Sequence, residues 1–288
     1  MTKALTGPVS RMRIARGLQA LRKRASLTQV DVAKAAGVSV GTVNRYESWQ
    51  DAGTLRIPTM RSIATACEAT ADEHAELEDL VRAQPGWWLD HPTRPSILDP
   101  LIAMEAYADT ESVWASTLVP GLLQTPAYAE AIHRAADPTA TAADVGAHIA
   151  TKSERQRRVR ESPLHLHVVL DEVALRRAVG GPVVMVEQIN HLLALSEQPT
   201  MDLRILPAAT GATPAGPGGH FVVVGRDDPR PLAAIALVYL ELHRGGLYLD
   251  GASDLTHYRT VFQELKDQAF TPAETRQALI TARQEYQS

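Results

Sequence analysis

From Ser26 to Glu47 the chain runs cap, short helical stretch, glycine, cap and second short stretch, and few folds accommodate that order. Ser26 and Thr28 offer hydroxyls to the first free N–H groups of a helix expected over Gln29–Ala36, which buries Val32 and Ala33. Gly37 follows where a helix ends in the left-handed conformation, which glycine adopts without a Cβ penalty. Val38 can plug the turn, and Ser39 can cap a third helix from Val40 to about Ser48 with Val43 and Tyr46 inward. Two short helices joined by a three- or four-residue turn containing glycine form a helix-turn-helix.

The flanking residues extend this to a five-helix domain. Ile14, Leu18 and Leu21 recur at helical spacing within residues 11–24, with arginines and lysines between them. Pro58 is expected to end the loop after the third helix, and Thr59 to cap a fourth through Met60, Ile63, Ala64 and Cys67. A fifth starts near Asp72, with acids in its first turn where the helix dipole favours them.

Charge separates this segment from the rest. Residues 1–60 carry ten Lys and Arg against Asp31, Glu47 and Asp51, a balance of +7, whereas the whole chain is −4 and the remainder therefore −11. A basic module on an acidic body is the asymmetry expected when one part meets phosphate. No stretch approaches the ~18 uncharged apolar residues of a membrane span, and the first seven residues lead into no apolar run, so a cytoplasmic protein is expected. Cys67 is the sole cysteine, which excludes an intrachain disulfide and a thiolate metal cluster.

The run from Leu21 to Glu47 resembles the core motif of the XRE (phage-repressor-like) DNA-binding family, matching at Thr28-Gln29, Ala33, Gly37-Val38-Ser39, Val43 and Arg45-Tyr46-Glu47. The resemblance implies that the third helix enters the major groove of double-stranded DNA, with Val40, Gly41, Asn44 and Arg45 toward base edges. It places Gln29 and Thr42 at phosphates, together with N–H groups at helix starts such as that capped by Ser39. Arg22 and Glu47 match a pair that closes the first helix onto the third, a structural role. The sequence departs from the family after Glu47: a longer loop replaces a short glycine turn, and Trp49 and Arg56 are the candidates to replace the backbone contacts made there.

Residues 84–100 hold four prolines and the adjacent Trp87 and Trp88, which read as an ordered linker between a domain at 1–83 and one at 101–288. Beyond it, a helix is expected over Ile97–Ser112, a second after Thr125-Pro126, and a polar one from Thr141 to about Glu161. Residues 164–170, 201–207, 220–225, 232–240 and 247–249 read as strands, helices as 183–197, 251–268 and 272–286. The expectation is an α+β domain with a small, mostly antiparallel sheet.

This half resembles the C-terminal domain of a large actinobacterial group of regulators, through residues 105–108, 119–129, Arg155-Gln156 and Leu170-Asp171-Glu172. That resemblance implies a regulatory or partner-binding domain without assigned activity. Members are often encoded beside a small partner protein, with roles proposed in development and in toxin–antitoxin-like pairs.

No catalytic set emerges. His165 and His167 share a strand face at a spacing that can chelate a metal, but no third ligand is evident, and surface histidines are the plainer reading. Asp171 and Glu172 are adjacent, which suits helix capping better than acid–base chemistry. Gly216–Gly219 lacks the lysine and hydroxyl of a phosphate loop. The five basic residues between Lys152 and Arg160 are expected on a solvated face or an interface. Leu122 and Leu123, between a Pro-Gly turn and a capped helix, form either a core turn or a partner groove.

The sequence thus predicts a non-enzymatic, cofactor-free, sequence-specific DNA-binding regulator, dimeric because one such domain contacts few bases. The rival is an antitoxin-like module for a small neighbouring-gene product, with DNA binding secondary.

Overall fold

The computed structural model describes residues 7–50, 53–83, 98–162, 164–230, 232–243 and 245–288. The chain divides into two compact units: one runs to residue 90 and includes the segment 225–235, the other comprises 91–224 and 236–288.

The first unit is helical: α1 (Pro8–Arg24), α2 (Gln29–Ala36), α3 (Val40–Tyr46), α4 (Ile57–Ala66) and α5 (Ala71–Arg82). Its core joins Ile14, Leu18, Leu21, Val32, Val43, Tyr46, Met60, Ile63, Cys67 and Leu77, the spaced apolar positions of all five helices. Thr28 and Thr70 form capping boxes with Asp31 and Glu73, and Gly37 ends α2 at φ +67°. The fourth helix corrects the expected boundary. Arg56 is its N-cap and Pro58 lies in its first turn, where the N–H that proline lacks has no helical partner anyway, so Thr59 falls inside the helix. Leu232, from the segment 225–235, completes this core, and the sequence gives no hint of that. It explains Gly17 in the middle of α1: a Cβ there would lie 2.0 Å from Leu232 Cδ2.

The second unit is built on a six-stranded sheet in the order β3-β2-β1-β4-β5-β6. The strands are β1 (Thr110–Ala115), β2 (His165–Asp171), β3 (Met201–Leu206), β4 (Phe221–Arg226), β5 (Ile235–Leu242) and β6 (Gly245–Leu249). Around them lie α6 (Asp99–Glu105), α7 (Pro126–Ala136), α8 (Ala142–Arg160), α9 (Val173–Arg176), α10 (Pro182–Leu195), α11 (Ala252–Gln268) and α12 (Pro272–Glu285).

Two expectations are adjusted here. The sheet has six strands rather than a few, and it is mixed: β1 pairs with β2 and β2 with β3 in parallel, while β5 and β6 run antiparallel. Parallel neighbours need long crossovers, and helices α7–α8 and α9–α10 supply them. Second, the single helix expected over 97–112 ends at Glu105, and β1 follows as an inner strand between β2 and β4. Its Trp114 packs with Val169, Phe221 and Val238 beneath Val261, Phe262 and Leu265 of α11. Alternation places Glu111 and Val113 on the opposite face, where they read as helical polar–apolar spacing in sequence. Within the linker expected at 84–100, Trp87 and Trp88 lie outside the described residues, whereas Leu98–Pro100 already open α6.

Candidate nucleic-acid interface

Helix α3 is short, and its outer face is open. Ser39 caps it, accepting from Thr42 N–H at 3.1 Å, with Thr42 Oγ1 at 2.9 Å from the Ser39 hydroxyl. Val43 and Tyr46 are buried, which turns Val40, Gly41 and Asn44 outward, with Val40 41% exposed. Arg45 lies alongside, its guanidinium 5.7 Å from the centre of the Tyr46 ring and its buried Nε without a hydrogen-bond partner. The four residues expected at base edges are thus grouped on one strip.

A buried ion pair fixes that strip. Arg22 of α1 donates through Nε (2.6 Å) and Nη2 (2.9 Å) to the Glu47 carboxylate at the end of α3, and through Nη1 to Leu27 O at 3.1 Å. Gln29 donates to the same carboxylate at 3.0 Å. The side chain assigned by resemblance to phosphate therefore rests here on Glu47, holding α2 to α3. Gln19 closes the group by donating to Glu47 O at 2.7 Å.

The long loop after α3 is anchored rather than splayed. The Tyr46 hydroxyl accepts from Arg56 N–H at 2.7 Å and donates to Arg56 O at 3.2 Å, while Arg11 donates to Gly53 O. An open polar cleft of about 500 Å³ results, with Ser39, Thr42 and Arg45 on one wall and Thr54, Arg56 and Thr59 on the other. Arg56 thus stands beside the third helix, where the extra loop length delivers it. Trp49 is half-buried.

Much of the basic charge is already spent. Arg13, Arg24 and Arg61 pair with Glu76, Glu73 and Glu78 of α5, and the Arg24 guanidinium holds the Glu73 carboxyl down at about 2. Lys34, Arg45 and Arg56 have no ion pair to another described residue, and they cluster around α2 and α3. Of the ten basic residues counted over 1–60, Arg13, Arg22 and Arg24 are thus paired within the unit, so the count overstates the charge available to phosphate, while Lys34, Arg45 and Arg56 stand on or beside α2 and α3.

Elsewhere, His165 is exposed and His167 Nδ1 lies 3.7 Å from Asp202, which also binds Lys266 at 2.8 Å. No group of three potential ligands forms among the described residues. Asp171 accepts from Val173 N–H at 2.9 Å and Glu172 from Ala208 N–H at 3.0 Å. Leu122 and Leu123 form a 3₁₀ turn, are 9% and 1% exposed, and line a cavity of the second unit.

The basic run on α8 lies on a solvated face only in part. Arg157 and Arg158 do pair outside with Glu154, but Lys152 and Arg155 turn inward. Arg155 forks onto Glu105 of α6, with Nε to Oε2 at 2.7 Å, and Lys152 donates to Gln124. Gln156 donates to Gly121 O and Gln124 O at 2.8 and 2.9 Å. The buried Val145, Gln156 and Val159 mark the same stripe, a helical period written largely in polar letters.

A family model described as a helix-turn-helix domain matches residues 13–77, and one described as a domain of unknown function, DUF5753, matches residues 98–281. No curated protein and no solved structure matches the chain significantly. Among the described residues no helix is long and apolar enough to cross a membrane. Residues 13–77 are a DNA-binding module of the helix-turn-helix kind.

Proposed function

Because the chain belongs to the family carrying the domain of unknown function DUF5753, behind a helix-turn-helix domain, we propose that it is a sequence-specific transcriptional regulator. The observation that carries this reading is the capped, outward strip of α3, with the Arg45 Nε left without a partner beside Val40, Gly41 and Asn44. Arg45 forks onto guanine O6 and N7, Val40 meets a thymine methyl, and Thr42, Lys34 and Arg56 contact phosphates. One such helix reads only a few base pairs. Two copies on half-sites about one helical turn apart supply the remaining specificity, so a homodimer is the working form. The DUF5753 domain then serves for dimerisation, sensing or partner capture, and the protein works by binding rather than catalysis.

The test is fluorescence anisotropy of the full chain on its own upstream DNA and on random DNA, with wild type and Arg45→Ala. Loss of the preference for the cognate sequence in the variant supports the reading, by about 1–3 kcal/mol for a bidentate base contact. With ~6 phosphates neutralised, affinity should fall about a thousandfold between 50 and 200 mM salt. Equal, weak binding to every DNA would move the function to the C-terminal domain and favour an antitoxin-like capture of a small neighbouring-gene product.

A further inference from the structure

The second unit contains a cavity of about 440 Å³ between the sheet and α8, within the size range of small-molecule sites. Its floor is the sheet face opposite α11, formed by Glu111, Val113, Val222 and Tyr239; α8 contributes His148, Lys152 and Arg155; and the turn with Leu122 and Leu123 closes one side. Two floor groups stand out. Glu111 is 1% exposed and its Oε2 meets no hydrogen-bond partner in the protein; Tyr239 is 2% exposed and its hydroxyl meets none either. An unsatisfied buried polar atom costs about 1–3 kcal/mol, and native proteins hold few of them. Two facing one cavity require an account, and the cavity provides it.

We infer that this cavity is a binding site for a mostly apolar small molecule whose polar end carries acceptor oxygens, a carbonyl or a carboxylate. The wall chemistry selects that class. Arg155 spends its fork on Glu105, and no donor in the protein meets Glu111 Oε2; burial, with Glu105 nearby, pushes the Glu111 carboxyl well up from the usual range. The Tyr239 hydroxyl is an unspent donor and the Lys152 ammonium, bonded so far only to Gln124, is a second. An amine at this end would meet the Lys152 ammonium in a low-dielectric space, which costs free energy. The turn that closes the site is rigid: Gln188 donates to Leu123 O at 2.7 Å and accepts from Thr125 N–H at 2.7 Å, and Gln124 donates to Val119 O at 2.7 Å. This turn falls within 119–129, one of the segments that resemble the regulator group, and the buried Gln124 and Thr125 there hold its backbone in place.

The inference deepens the sensing role proposed above, and its test uses no DNA, so either can fail alone. Titration calorimetry of the full chain with octanoate, methyl octanoate and octylamine should show saturable binding of an oxygen-headed probe at one site per chain and none of the amine. Val222→Trp, which fills the floor, should abolish that binding with circular dichroism unchanged. Tyr239→Phe should weaken it about tenfold while raising the melting temperature of the unliganded protein, because it removes an unsatisfied hydroxyl. A purely structural tyrosine would lower both. No binding of either oxygen-headed probe at millimolar concentration, equal binding of the amine, or undiminished binding in Val222→Trp each overturns the proposal.

Discussion

Removing the Glu47 carboxylate should open the helix-turn-helix unit measurably. Glu47 is 5% exposed and takes three hydrogen bonds, two of them from Arg22, whose side chain is 16% exposed. Glu47→Ala leaves that guanidinium with Leu27 O as its remaining partner, and Gln29 loses its acceptor. Breaking a buried pair from one side costs about 3–5 kcal/mol, and the residual access of Arg22 to water favours the lower end, about 3 kcal/mol. The double variant Arg22→Met, Glu47→Leu leaves no charge stranded and should lie within about 1 kcal/mol of wild type. The assay is native-state hydrogen exchange of the slowest amides in α1 and α3, which reports this unit's opening without a two-state assumption for the whole chain. A single-variant loss below about 1 kcal/mol, or additivity of the two substitutions, would refute the view that this pair holds α3 onto α1.

Three further outcomes are expected. Gly17→Ala, normally a gain of about 1 kcal/mol inside a helix, should instead destabilise the first unit, because the new methyl would overlap Leu232; faster exchange in α1 is the expected result, and slower exchange would remove Leu232 from the core. Burial, with Lys152 and His133 facing it, brings His148 down to about 4, and its ring stacks on His133 at 4.4 Å. The unfolded chain therefore takes up that proton first as pH falls. Its stabilisation is complete above about 6.5 and lost toward pH 4, on the order of 1 kcal/mol after solvent screening. Urea midpoints at pH 7 and 5 should differ less in His148→Gln than in wild type, and an equal difference would exclude this residue. Arg155→Met strands Glu105 beside Glu111 and should cost about 3–5 kcal/mol, read as a lowered urea midpoint; Arg155→Met with Glu105→Leu should recover most of it, and failure to recover would show that the cost lies in packing.

What could be read from the residues divides along physical lines. The first unit was legible because its signals are local: Thr28 and Ser39 cap, Gly37 adopts a positive φ, and the apolar spacing names its own core. Pro58 misled because a proline that ends a loop and one that starts a helix look alike without knowing where the N–H groups go. The sheet was harder to read. Its strands were mostly found, but whether neighbours run parallel depends on partners more than fifty positions apart, as Thr110 with His165. β1 was missed because Glu111 faces a buried cavity and breaks the apolar alternation that marks a strand. The same cause hid the inward side of α8, where Lys152, Arg155 and Gln156 occupy positions at which leucine would have announced a core. Leu232 was invisible for another reason: a lone leucine carries no sign of the unit whose core it completes.

Cys67 lies at 0% exposure in the core of the first unit, and burial pushes its thiol up to about 11. The chain holds no other cysteine. Thiol reagents attack the thiolate, so the folded unit presents them with neither access nor the reactive form. Labelling must wait for α4 to leave its neighbours, and its rate then counts how often the helix-turn-helix unit opens. Added DNA should slow that clock, whereas a molecule that binds only in the other unit should slow it only if the two units exchange free energy. One buried sulfur thus gives the protein a chemical timer for coupling between its halves, readable by mass with no probe introduced.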